Sequence, residues 1–196
     1  LEKYDDGGNR EIKVSVLGLH GSGKTSLVSR FVNGSFNENE FPTQRVNIEK
    51  KITKINGKPI LFAFWDVAGQ QGYHSIASLY FGKAHIVVFV YDITNYKSFE
   101  SAKEWVQRVS TTNQCVYALV GNKLDKQENR EVTCEEAKEY ATQVGASFHE
   151  CSAQENLSVD SIFIESCEKV LSLPARKPGI NIGDDYRPPE EESCGC

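Results

Sequence analysis

The residues Gly18-Leu19-His20-Gly21-Ser22-Gly23-Lys24-Thr25 set three glycines beside a lysine and a hydroxyl, in the pattern G-x-x-x-x-G-K-[ST]. Glycines at this spacing let successive backbone N–H groups turn inward toward phosphate oxygens. Lys24 supplies a point charge for the β and γ phosphates, and the Thr25 hydroxyl is a hard oxygen suited to Mg²⁺. The pattern needs a strand before it and a helix after it. Ile12–Leu17 reads as that strand and Thr25–Val32 as that helix, whose N-terminus adds a positive dipole end. Alone, the loop specifies a nucleoside triphosphate and leaves ATPases, small-molecule kinases and GTPases open.

Asn122-Lys123-Leu124-Asp125 addresses the base. It follows a short apolar run, Val116–Val120, where a strand-end carboxylate can accept from guanine N1 and its exocyclic amine. Adenine offers neither donor pattern, and a desolvated carboxylate left unpaired costs several kcal/mol, on the order of 1–3 or more. Asp125 thus selects guanine by mismatch as much as by attraction. Asp66 closes the run Ile60–Trp65 and opens Asp66-Val67-Ala68-Gly69-Gln70. A carboxylate there suits the metal, Gly69 can offer an N–H to a γ-phosphate, and Gln70 can orient an attacking water. Thr43, in the loop Gly34–Val46, provides a second hydroxyl able to join the metal when a γ-phosphate is present.

These residues need a sheet to hold them. Apolar runs alternate with helix-period stretches, the mark of parallel strands joined by crossover helices. Val46–Ile55 and Ile60–Trp65 form a predicted hairpin turning at Asn56-Gly57. Ile86–Tyr91 and Val116–Val120 are dense enough to be strands covered on both faces. Phe99, Ala102, Trp105, Val106 and Val109 make a helical stripe within Ser98–Val109. Cys134–Val144 reads as a helix capped by Thr133, with Glu136 three residues on. Ala146–Cys151 and Val159–Leu173 are the last strand and helix.

The 196 residues suit one domain, with 39% hydrophobic and 25% charged residues. A net charge of −5 gives no basic field for nucleic acid. No uninterrupted apolar run is longer than Ile86–Tyr91, far below the ~20 residues of a membrane span. Leu1–Glu11 has no apolar signal core. With no Met anywhere, the chain is expected to have lost residues ahead of Leu1, and 1–10 reads as a flexible leader. Cys115, Cys134, Cys151 and Cys167 lack zinc-ligand spacing and read as small, mostly buried side chains in a reducing compartment. Residues 174–196 hold four of the six prolines and the acidic run Glu190–Glu192, the composition of a disordered tail.

Taken together, the motifs resemble the small GTPases of the Ras superfamily over about residues 11–173, and most closely the Rab branch. Trp65–Gln70, Tyr91-Asp92-Ile93-Thr94-Asn95 with Ser98-Phe99, Gly121-Asn122-Lys123 and Cys151-Ser152-Ala153 carry that resemblance. Tyr73-His74-Ser75 and Ala102–Val106 resemble the endocytic subgroup of early endosomes. The resemblance implies an α/β fold of the P-loop NTPase type, six mostly parallel strands with helices on both faces. It implies GTP/GDP with Mg²⁺, held by His20, Gly21, Ser22, Gly23, Lys24, Thr25, Ser26, Phe36, Thr43, Gly69, Asn122, Lys123, Asp125, Ser152, Ala153 and Gln154. Phe36 would lie edge-on to guanine and the Ala153 N–H would meet its carbonyl oxygen. Thr25, Thr43 and Asp66 would serve the metal, and Gln70 with Lys24 catalysis.

The ending Cys194-Gly195-Cys196 resembles the doubly prenylated Rab terminus. One lipid anchors marginally, and Arg176, Lys177 and Arg187 are outnumbered by tail carboxylates, so a second prenyl chain would be the second signal. The implied setting is the cytoplasmic face of endomembranes, cycling with the cytosol, as a monomer. Implied partners are effectors on the switch loops, an exchange factor, a GTPase-activating protein, a prenyl-transfer escort and a GDP-dissociation inhibitor.

Four departures from the family pattern stand out. His20 sits where relatives carry a small residue and is expected to crowd Gln70, slowing hydrolysis. Thr43-Gln44-Arg45 replaces Thr-Ile-Gly on the effector face, Val67 and Gln71-Gly72 alter the second switch, and Gln154 replaces a lysine. Besides a hydrolytic switch, the sequence allows a nucleotide-bound scaffold with negligible turnover. A P-loop metabolic kinase is disfavoured, since no lid or second-substrate segment is evident.

Overall fold

The computed structural model describes residues 5, 7–38, 43, 47–66, 82–109 and 115–173. Six strands form one sheet: β1 (Arg10–Leu17), β2 (Asn47–Ile55), β3 (Lys58–Asp66), β4 (Ile86–Asp92), β5 (Val116–Asn122) and β6 (Ser147–Glu150). Their spatial order is β2-β3-β1-β4-β5-β6. Only β2 runs antiparallel, against β3. It turns through Asn56 (φ 51°) and Gly57 (φ 78°), two successive left-handed residues, as the hairpin reading required. Among the described residues four α-helices, α1 (Lys24–Asn33), α2 (Tyr96–Val109), α3 (Cys134–Gln143) and α4 (Val159–Ser172), and a 3-10 helix, Leu124–Asn129, accompany the sheet. Each predicted element is present, with its ends shifted by no more than two residues.

Alternation along the strands builds two cores. Val14, Val16, Phe62, Phe64, Val88 and Val120 face one side, where Leu27, Val28 and Phe31 of α1 meet Ile162, Phe163 and Val170 of α4. Phe31 packs edge-on against Phe62 and Phe64 and tilts against Phe163, with ring centroids 4.6–5.5 Å away. On the other side Val87, Phe89, Tyr91 and Leu119 meet the α2 stripe of Phe99, Ala102, Trp105, Val106 and Val109, with Ala137 and Ala141 of α3. Strand β4 is buried at all seven positions; β5 is buried over its last five, and its first two are half-covered. The Thr133 hydroxyl accepts from the Glu136 N–H at 3.2 Å, so the cap is real. The reciprocal half of a capping box is not made, because the Glu136 carboxylate accepts from the Tyr96 hydroxyl and pairs with Lys103.

Cys151 and Cys167 are buried as expected, whereas Cys115 and Cys134 are only partly covered. Among the described residues no helix is long and apolar enough to cross a membrane.

What this topology positions is the carboxyl edge of the sheet. Consecutive strands depart to opposite sides of β1, so a crevice opens at its end. In register, Val16 of β1 lies beside Asp66 of β3, and Asp92 of β4 beside Asn122 of β5. All the chemistry-bearing segments therefore leave the sheet along one edge.

Candidate functional site

The loop after β1 opens α1 through Gly23, which sits left-handed at φ 87° as the residue before the helix. A Cβ on Gly23 would run into the Asn122 side-chain amide, so position 23 needs both the freedom and the smallness of glycine. One step on, Lys24 is only 6% exposed, and its Nζ donates to the Leu19 carbonyl at 2.9 Å. Burial pulls its pKa down from 10.5 to about 8, partly offset by the nearby Asp66 carboxylate. A buried, half-uncompensated ammonium on a ring of loop backbone is poised for an anion.

Three oxygens converge below it from three separate segments. The Thr25 hydroxyl donates to Asp66 Oδ2 at 2.5 Å and lies 2.9 Å from the Thr43 hydroxyl. Asp66 is 1% exposed, and its second oxygen, Oδ1, has no hydrogen-bond partner. Burial pushes the Asp66 carboxyl upward, against the pull of the Thr25 hydroxyl and Lys24. Two hydroxyls and a carboxylate with an orphaned oxygen form a hard, oxygen-only donor set, which fits Mg²⁺. Among the described residues no cluster of three or more His, Cys, Asp or Glu side chains could hold a metal.

At the other end, Asn122 stitches the loops together. Its Nδ2 donates to the Ser22 carbonyl (3.1 Å), while its Oδ1 accepts from the Ala153 N–H (3.2 Å) and the Cys151 thiol (3.6 Å). Lys123, left-handed at φ 68°, pairs its ammonium with Asp92 at 2.6 Å. Asp125 Oδ1 accepts from the Ser152 hydroxyl at 2.5 Å, which ties the carboxylate to the loop after β6. Ala153, expected to aim its N–H at a base, thus already spends it on Asn122 at the long end of the hydrogen-bond range.

These corners bound a cleft of about 330 Å³. His20, Gly21, Gly23, Lys24, Thr25, Ser26, Phe36, Thr43, Asn122, Lys123, Asp125, Ala153 and Gln154 line it. Ser22 does not reach it with its side chain, which is buried 1% exposed with an unpaired hydroxyl, and Ser152 acts from behind Asp125. His20 stands exposed at the rim. Asn37, Glu38 and Lys126 also line the cleft without having been singled out in the sequence; Asn37 and Lys126 directly follow Phe36 and Asp125, the one signal available. Gly69, Gln70, Val67, Gln71-Gly72, Gln44-Arg45 and the tail cysteines Cys194 and Cys196 lie outside the described residues.

The Ras family model matches residues 13–172. The chain belongs to the Ras family. Members of this family are GTPases that bind guanine nucleotides, and this chain is a small GTPase. It is 37% identical over 191 residues to the Ras-related protein Rab5 of Nicotiana tabacum, covering 96% of either chain. It is 41% identical over 164 residues to Rab5A of Oryza sativa, covering 83% of this chain and 81% of that one. Against human Rab-21 the identity is 35% over 201 residues, covering 94% and 89%. In this GTPase the phosphate-loop residues Lys24 and Thr25 and the motif residues Asn122, Lys123 and Asp125 line the same cleft.

Proposed function

We propose that this GTPase is a membrane-anchored switch of the Rab type in vesicle trafficking, which binds GTP or GDP with Mg²⁺ and hydrolyses GTP slowly. The observation carrying the reading is the meeting of Thr25, Thr43 and Asp66, with Asp66 Oδ1 left unpaired. Thr43 comes from the loop between α1 and β2, so a site completed by its hydroxyl links nucleotide state to loop position.

In this reading Lys24 gives up its contact with the Leu19 carbonyl for β and γ phosphate oxygens. Thr25, Thr43 and Asp66 hold the metal, which when bound neutralises phosphate charge. Asp125, oriented by Ser152, accepts from guanine N1 and the exocyclic amine. Phe36 covers the base edge and Gly69 reaches the γ-phosphate. Gln70 orients the attacking water, which adds to the γ-phosphorus as the bond to the β-phosphate oxygen breaks, giving GDP and inorganic phosphate. The slow rate is the part of the reading that His20 motivates: a side chain this size beside the γ-phosphate would crowd Gln70, which lies outside the described residues. His20 also favours the second reading, a nucleotide-bound scaffold with negligible turnover.

Denaturing the purified protein and identifying the released nucleotide tests the site. GDP or GTP is expected, and adenine nucleotide in its place contradicts it. Similarity to Rab5 and Rab-21 relatives supports an endosomal membrane, effectors and Rab regulators. Prenylation at Cys194 and Cys196 supplies the anchor. Cys194→Ser should shift the protein from the membrane to the soluble fraction of fractionated cells, and unchanged retention refutes the two-lipid anchor.

A further inference from the structure

Arg30, near the end of α1, uses three different guanidinium nitrogens on three carbonyls. Nε donates to Ala153 (2.8 Å), Nη2 to Gln154 (2.9 Å) and Nη1 to Gly34 (2.6 Å). The same guanidinium lies 5.9 Å from the centre of the Phe36 ring. Ala153 and Gln154 belong to the loop after β6, whereas Gly34 and Phe36 belong to the loop after α1. Phe36 from the one loop and Ala153 and Gln154 from the other line the same cleft. A cation in the last turn of a helix ordinarily serves the helix's own carbonyls. Here two of the three carbonyls are more than 120 residues away in sequence.

We infer that Arg30 is a positioning residue for guanine: it locks the Phe36 loop to the Ser152–Gln154 loop and so holds the base clamp shut. The inference rests on the proposed reading of Phe36, Asp125 and Ser152-Ala153 as the base end of the site. The mechanical chain is short. Arg30 fixes the carbonyls of Ala153 and Gln154, Ser152 of the same loop donates to Asp125, and Asp125 carries the selection for guanine. Arg30 lies six residues after Lys24, about 9 Å along one helix. A single rigid element thus begins at the phosphates and ends at the clamp. A planar guanidinium can hold three divergent acceptors and a ring face at once, and a lysine ammonium cannot reproduce that fork.

The test is the release rate of ribose-labelled GDP and IDP from the full chain, from Arg30→Ala and from Arg30→Lys. IDP lacks the exocyclic amine that Asp125 would accept from, so the native protein should release IDP faster than GDP. Arg30→Ala should release GDP about tenfold faster, the scale of losing one charge-assisted hydrogen bond. It should also narrow the difference between IDP and GDP, because a loosened Ser152 loop no longer fixes Asp125. Arg30→Lys keeps the stem and the charge, so it decides the matter if Arg30→Ala does not fold, and it should change both readouts in the same direction. Unchanged GDP release overturns the inference. So does equal acceleration of both nucleotides, which marks general loosening. A native protein that releases GDP and IDP alike overturns the base-contact reading, and the inference falls with it.

Discussion

Lys24 shows how burial sets the chemistry of one residue in the cleft. Its folded pKa of about 8 lies below the ordinary 10.5 because burial disfavours the ammonium. Between these values the unfolded chain holds a proton that the nucleotide-free fold lacks. Stability of that fold therefore rises with pH across the window, and the whole burial penalty is present below about 8. Phosphate oxygens reverse the balance by favouring the charged form. Nucleotide binding should take up a proton above about pH 8, and GDP affinity should weaken as pH climbs through that value. Titrations by calorimetry in buffers of different ionisation enthalpy read both effects, and a pH-independent affinity across this window contradicts them. The residue types of this corner were legible in the sequence, since Lys24, Thr25 and Asp66 each sit in a recognisable pattern. The partners were not. Nothing in the residue order says that Lys123 pairs with Asp92 or that Ser152 donates to Asp125, because both contacts arise from strand ends brought level by the sheet.

At the scale of elements, the strand–loop–helix unit of β1, Gly18–Gly23 and α1 does most of the positioning. Gly23→Ala tests it sharply. A left-handed alanine costs roughly 1–2 kcal/mol, and its methyl would also displace the Asn122 amide that ties the phosphate loop to the loop after β6. The expected outcome is a lower melting temperature together with loss of most nucleotide affinity; a variant that binds GDP as tightly as the native chain contradicts this account of the loop. Period and turn chemistry made the elements themselves readable. Val87, Phe89 and Tyr91 alternate with Ile86, Val88 and Val90 over two faces, and Asn56-Gly57 fixes its own turn. Arg30 escaped the sequence reading for the opposite reason. On a helix whose apolar face is Leu27, Val28 and Phe31, an arginine looks like ordinary solvated surface, and its acceptors lie over 120 residues away. Glu136 misled in a milder way, since a local cap partner was expected and two side chains of α2 captured the carboxylate instead.

For the whole molecule, order along the chain becomes order around one edge of the sheet. The glycine-rich loop follows β1, Asp66 ends its neighbour β3, and Asn122-Lys123-Leu124-Asp125 begins as β5 ends. One cleft then gathers the residues proposed for phosphate binding, metal binding and base selection. Anything that occupies it ties β1, β3, β5 and the loop after β6 into one body, so nucleotide should stabilise the fold by mass action. Single-turnover hydrolysis shows whether this cleft turns over bound GTP. The full chain is loaded with GTP and followed by chromatography with Mg²⁺ present or chelated, alongside Gln70→Leu. Bound GTP should convert slowly to GDP in a reaction that needs Mg²⁺ and is impaired in Gln70→Leu. Bound GTP that persists unchanged, or decays at the same rate with Mg²⁺ chelated and in Gln70→Leu, would contradict this.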